Sequence, residues 1–156
     1  MNKKQRLLGN NKGFSLVELI IVIAIMAILA GALAPQLIQY LDQSRKGRDV
    51  ETAQTVATAV NAALGSESAY NTAASCYLTD CTTTGTDFQK AVKKIIGAAV
   101  DNPKPKYRPA DYKNFYIEVS STDKSFKIYA VKTESGSVTP DPKDILYPTV
   151  GDNFAN

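Results

Sequence analysis

Glu18 is the only charged residue between Lys12 and Asp42, and it stands at the threshold of the most apolar stretch of the chain. On insertion scales an acid at the centre of a spanning helix costs roughly 2.5 to 3.5 kcal/mol, and less near the interface where Glu18 would sit. Such a cost calls for a compensating cation. A cut between Gly13 and Phe14 would supply one, because a new α-amino group has a reference pKa of about 8. Glu18 would then lie one turn away, i to i+4, on the same helix face. Within one chain the pair partly neutralises itself. Between parallel chains, Glu18 of one meets the amine of the next and gives an incoming subunit an electrostatic reason to stop at one axial register. Buried ion pairs add little net stability, but breaking one costs roughly 3 to 5 kcal/mol, so setting register is their best-supported use.

No other constellation offers catalysis. The chain has no histidine, and the only G-x-S, Gly13-Phe14-Ser15, has Val17 where a nucleophile elbow needs its second glycine. Phosphate-binding loops are absent too. An enzyme is therefore not expected, nor a cofactor. Two cysteines without histidine do not make a zinc site, so no metal is expected.

The elements that must carry Glu18 follow from composition. The 156 residues suffice for one domain plus an appendage. With 44% hydrophobic and 21% charged residues the chain is neither disordered nor wholly embedded in lipid, but the average conceals an asymmetry. Leu19 to Leu41 carries no charge, and Leu19 to Ala34 is apolar throughout if Gly31 is counted, which reads as one membrane span. Ahead of it lie Lys3, Lys4, Arg6 and Lys12 with no acid. By the positive-inside rule that leader stays cytoplasmic and the C-terminal bulk lies outside. Taking these four from the 18 lysines and arginines leaves 14 against 15 acids, so the net charge of +3 makes no global case for nucleic acid. A cleaved secretory signal would want an apolar core of roughly 7 to 15 residues and a small-residue cleavage site. Here the run is longer and continues into a helical pattern beyond Pro35, which fits retention; an uncleaved signal anchor is the plain alternative.

Lys12-Gly13-Phe14-Ser15-Leu16-Val17-Glu18, followed by the apolar run, resembles the class III signal of type IV pilins and their relatives, the pseudopilins, over about residues 1–50. The resemblance implies cleavage after Gly13 by a prepilin peptidase, methylation of the Phe14 amine, and a docking role for Glu18. It implies a homo-oligomer: a single-pass protein waits in the cytoplasmic membrane, and assembly machinery with a motor ATPase extracts it into an extracellular helical filament for adhesion, motility or DNA uptake. Pro35 falls where this family commonly has a helix-disturbing proline. Proline cannot donate to the carbonyl of Gly31 and its ring crowds that turn, so the stem is most easily bent or melted there. The resemblance implies that unwinding from about Gly31 to Gln36 lets stems pack; a tolerated kink is the plain alternative. A minor pilin or a type II secretion pseudopilin shares the same signal, and a membrane-anchored surface binding module that never polymerises is the rival of another class.

The expected fold is α+β: a long N-terminal helical stem, apolar in its first half and amphipathic in its second, packed on a small antiparallel β-sheet head. The segments are a leader (1–13), a filament-core helix (14–35), an amphipathic half of the stem (36–64) and a head (65–156). Leu37, Ile38 and Leu41 extend the apolar face, "DQSRKGRDVE" from Asp42 is polar apart from Val50, and Ala53, Val56, Ala57, Val60, Ala63 and Leu64 restore spacings of three and four before Gly65. Gly65 to Gly85 reads as a connecting loop containing Cys76 and Cys81. Outside the membrane these thiols can oxidise to a small staple of modest effect, with free thiols the alternative. Thr86 to Gln89 fits a capping box, predicting a helix over 87–99 that ends near Gly97 to Val100.

Alternation predicts strands at about 114–120 and 125–133, a hairpin with one buried face. A third strand is expected within Asp144 to Val150, because a lone hairpin is marginal. The rest of the C-terminal tail is expected to be irregular. In the family the head is usually a sheet of about four strands, and many relatives place a cysteine pair near the C-terminus; here the cysteines come early. Lys90, Lys93, Lys94, Lys104, Lys106 and Arg108, with Lys113 and with Tyr107, Tyr112 and Tyr116 nearby, are candidates for a basic aromatic surface for DNA, a host surface or anionic glycans. Asp101 and Asp111 interrupt the cluster, which favours the plainer reading of a solvated helix face and loop.

Overall fold

The computed structural model describes residues 13–97 and 104–155. The expected leader up to Lys12, Ala99 of the expected second helix and Asp101 to Pro103 lie outside the described residues. The chain forms two compact units that divide after Tyr40.

The first unit carries the start of helix α1, Leu16–Leu64. Its run of Leu, Ile, Val, Ala and Met closes its backbone hydrogen bonds internally, as a segment in hydrocarbon must. Every large apolar side chain from Leu16 to Leu41 is exposed, and the helix is long and apolar enough to cross a membrane. A contiguous apolar surface of this extent marks a lipid or protein contact. Gly31 to Gln36 is helical, with Pro35 inside α1, so the unwinding expected there is not present in the single chain. Flanking turns of good helix formers hold the geometry although Pro35 offers no donor.

In the second unit α1 is amphipathic. Asp49, Ala53, Val56, Ala57, Val60 and Ala63 are buried at helical spacing, together with Ala59. The alanines keep the helix surface low where it joins the core shared with the sheet. That sheet has four antiparallel strands in the order β1-β2-β3-β4, with β1 at Cys76–Tyr77, β2 at Asn114–Val119, β3 at Phe126–Val131 and β4 at Ile145–Tyr147. Phe115 pairs with Ala130 and Ile117 with Ile128. These four face the core with Val56, Val60 and Leu146, and with Phe88 and Val92 of α3, Asp87–Ile96. The architecture is α+β, a helical stem packed with a small antiparallel sheet.

Helix α3 starts at a complete capping box. The Gln89 N–H donates to Thr86 Oγ1 at 3.3 Å, and the Thr86 N–H donates to Gln89 Oε1 at 2.9 Å. It ends at Gly97, whose φ of 56° suits glycine.

Three parts differ from the sequence reading. The stretch Gly65 to Gly85 is more than a loop: it holds the short helix α2, Glu67–Asn71, then β1, then a 3₁₀ turn at Leu78–Asp80. A two-residue strand is too short to alternate, and it forms because Cys76 and Tyr77 pair with Ile117 and Tyr116. The hairpin is also buried on both faces. Tyr77, Tyr129 and Val131 form a second cluster with Tyr116, Val138 and Ile145 around it. The Tyr77 hydroxyl donates to the Gly136 carbonyl at 3.0 Å and lies 3.1 Å from Thr133 Oγ1, tying the segment after β3 over this face. The tail, finally, is irregular in backbone apart from β4 and a 3₁₀ turn at Pro142–Asp144, yet its end is packed into the core. Phe154 is buried against the rings of Tyr107 and Tyr112, with centroids 5.3 and 5.1 Å away.

Candidate assembly site

Phe14 is 93% exposed and lies two residues before the first residue of the helix. Ser15 follows, and its N–H donates to Glu18 Oε2 at 2.9 Å. The Leu19 N–H donates to the Ser15 carbonyl at 3.1 Å, closing the first turn. Glu18 therefore does a local job in the single chain: it satisfies a backbone donor that the helix start would leave open, the reach-back half of a capping box. The signal was legible as S-x-x-E in Ser15-Leu16-Val17-Glu18, but the charge of Glu18 drew attention to a distant partner instead. Both roles can coexist, since a carboxylate has about four acceptor positions and this bond uses one. The acid also lies at the positive end of the helix dipole, where negative charge is favoured.

Gly31 and Pro35 lie farther along the same exposed helix. A Cβ built on Gly31 would meet nothing within 4 Å. Glycine there answers no crowding inside the chain, so its contribution is backbone freedom or the approach of another molecule.

Cys76 and Cys81 are both buried, with their sulfurs 3.9 Å apart and unbonded. The Cys81 thiol also donates to the Tyr77 carbonyl at 3.8 Å. The hydrogen bond with Cys76, and then burial, push the Cys81 thiol up. The 3₁₀ turn between the two positions brings them together.

The candidate basic residues are divided among elements. Lys90 pairs with Asp87 at 3.4 Å on the exposed face of α3, where Lys94 is exposed and Lys93 partly covered. Lys104, Lys106 and Arg108 are exposed on the loop before β2. Lys106 lines a groove of about 390 Å³ with Arg45 and Arg48 of α1, two residues that sequence reading placed only in a charged stretch. Arg108 and Lys46 stand over the Tyr107 ring, 5.2 and 5.1 Å from its centroid. The tyrosines do not offer free faces for bases or sugars. Tyr107 and Tyr112 are buried, and Tyr116 meets Tyr77 edge to face at 5.2 Å. Sequence does not show which side of the loop a tyrosine ring takes, and here the rings turn inward.

Two buried acids went unnoticed. Asp49 is 1% exposed, and its two oxygens accept the N–H groups of Lys106 at 2.7 Å and Tyr107 at 2.8 Å. Burial pushes its carboxyl up, while the two hydrogen bonds pull it back. Asp144 accepts the Tyr112 hydroxyl at 2.6 Å and the Asn153 amide at 2.7 Å through Oδ1. Asp49 had one usable signal: it precedes Ala53, Val56 and Val60 on the buried face at spacing i, i+4, i+7 and i+11.

Residues 8–34 match the family described as the prokaryotic N-terminal methylation motif. That match takes in the class III signal and the start of the apolar helix, and supports a type IV pilin- or pseudopilin-like prepilin. Such a signal implies processing by prepilin peptidase and an assembly pathway of the pilus kind, and with the apolar helix it fits membrane anchoring; the motif is that of a structural protein. No curated protein and no solved structure matches the chain significantly.

Proposed function

We propose that this prepilin is a structural subunit of a type IV pilus, polymerising through α1 into an extracellular filament that serves adhesion, motility or DNA uptake. The observation that carries the reading is the methylation motif at residues 8–34, coupled to a helix whose first half, Leu16 to Leu41, exposes its apolar side chains on every face. Hydrolysis of the Gly13–Phe14 bond frees the Phe14 amine, and methylation leaves it a cation. In the filament the Glu18 of one subunit meets the amine of its neighbour, which fixes register, while Gly31 and Pro35 lend the stem compliance. Moving about 20 apolar residues out of lipid is feasible where other stems replace the lipid, with the motor ATPase supplying the work. Cys76 and Cys81 close a disulfide once outside, and the head forms the filament surface.

The same motif begins pseudopilins, so a subunit of a secretion apparatus, or a minor pilin, is the second reading. Intact-mass measurement of the membrane-extracted chain, joined to electron microscopy of sheared surface material, tests the proposal. The expected species begins at Phe14 and is heavier by one methyl group, and this chain dominates the filaments. A chain that keeps its leader points to a plain anchor. A processed chain that is scarce in the filaments points to the second reading.

A further inference from the structure

We propose that the groove between α1 and the loop before β2 holds the phosphate of an anionic phospholipid headgroup. Its lining is Leu41, Ser44, Arg45, Arg48, Lys106 and Pro109: three cations, one hydroxyl and no acid. The groove is built, because the Lys106 N–H is held by the buried Asp49 carboxylate of α1. Asp49 is buried and spends its two oxygens on backbone N–H groups, so it offers the groove no exposed carboxylate, although its charge is felt by Lys106. The acid paired with the lining is Asp42, 3.6 Å from Arg45, with the two side chains about half exposed. Pairs of that kind are weak, and they leave most of the guanidinium donors for a planar, two-pronged contact with phosphate oxygens.

Position selects the lipid among anions. Leu19 to Leu41 is uncharged, so Arg45 and Arg48 are the first arginines after a run long enough to span hydrocarbon, within two turns of its end. Tyr40, exposed at the end of that run, is a residue type that favours the interface. Only three residues separate Leu41, the end of the uncharged run, from Arg45, so in an inserted chain the arginines follow the hydrocarbon closely enough along the sequence to reach the headgroups. The inference rests on the membrane reading of the first half of α1.

The test is native mass spectrometry of the full chain released from detergent micelles with phosphatidylglycerol or phosphatidylcholine. Each cation near an anionic surface contributes roughly fivefold in binding, so the wild type is expected to retain phosphatidylglycerol at least tenfold better than phosphatidylcholine. The variant with Arg45→Gln, Arg48→Gln and Lys106→Gln should lose that preference, and the variant with Lys90→Gln and Lys94→Gln should keep it. The Lys106 backbone bond survives its substitution, and an unchanged melting temperature establishes that the groove variant is folded; should it melt early, Arg45→Gln with Arg48→Gln alone should still lower the preference at least tenfold. Equal retention of both lipids by the wild type overturns the proposal. So does competition by inorganic phosphate at concentrations equal to the lipid, which assigns the groove to a soluble anion. An unchanged lipid preference in the groove variant together with lost filaments also overturns it, and assigns the groove to a second copy of the chain. A wild-type chain recovered without membrane refutes the membrane reading itself, a result distinct from all of these.

Discussion

The amide of glutamine accepts a hydrogen bond from the Ser15 N–H as the Glu18 carboxylate does, but it carries no charge to answer an amine. Glu18→Gln thus separates the cap from the ion pair. Helix content and membrane insertion should be unchanged, while filament yield seen by electron microscopy should fall at least tenfold; normal filaments would show that the cap alone explains the residue. Asp49→Ala poses a different question, because it strips the partner from two N–H groups that the fold has withdrawn from water. Each orphaned donor costs about 1 to 3 kcal/mol, so the loss should reach about 2 to 6 kcal/mol in denaturant unfolding. A cost below about 1 kcal/mol would mean that the loop re-forms its bonds with water.

Helix α3 and the β2–β3 hairpin each have one group whose removal reports on the whole element. Thr86→Ala removes the cap oxygen that holds the Gln89 N–H and should cost about 1 kcal/mol in thermal unfolding. In the hairpin, the Tyr129 hydroxyl donates to Glu118 Oε2 at 3.1 Å, and burial, then the Glu118 acceptor, pushes the phenol up to about 12. An unfolded tyrosine ionises near 10. The folded state therefore keeps this proton where the unfolded state has lost it, and the stability it provides is fully present below pH 10 and is lost as pH climbs toward 12. Tyr129→Phe should remove that part of the alkaline loss, so the two proteins' melting temperatures should converge across the window. Stem, hairpin and capping box were legible because each repeats a period or a spacing within one segment: 3.6 along Ala53, Val56, Ala57 and Val60, two along Phe115, Ile117 and Val119, and three from Thr86 to Gln89. What stayed hidden depends on contacts between distant segments. β1 exists only through β2, the second buried face only through the chain laid across it at Gly136, and Asp49 meets Lys106 and Tyr107 across 57 and 58 positions.

The molecule joins a unit whose described apolar side chains are all exposed to one with a closed core. The cysteines bear on the second unit as a whole. Their sulfurs, 3.9 Å apart, have only to approach to about 2.05 Å, and oxidation should lower the intact mass by two hydrogens. The ring is shorter than the 15-residue loop for which roughly 3 kcal/mol is expected, so the melting temperature should rise by no more than that allows. A large drop instead would mean that the buried turn cannot bear the bond. The hydrogen bond from Ser15 to Glu18 has a further consequence at this scale. In the proposed assembly one oxygen of Glu18 keeps the Ser15 N–H while the other is open to the amine of a neighbour, so docking adds a partner to an acid that already has its orientation fixed. A carboxylate pre-set in this way would act as a detent, selecting position while leaving direction to whatever engine pushes or pulls the fibre.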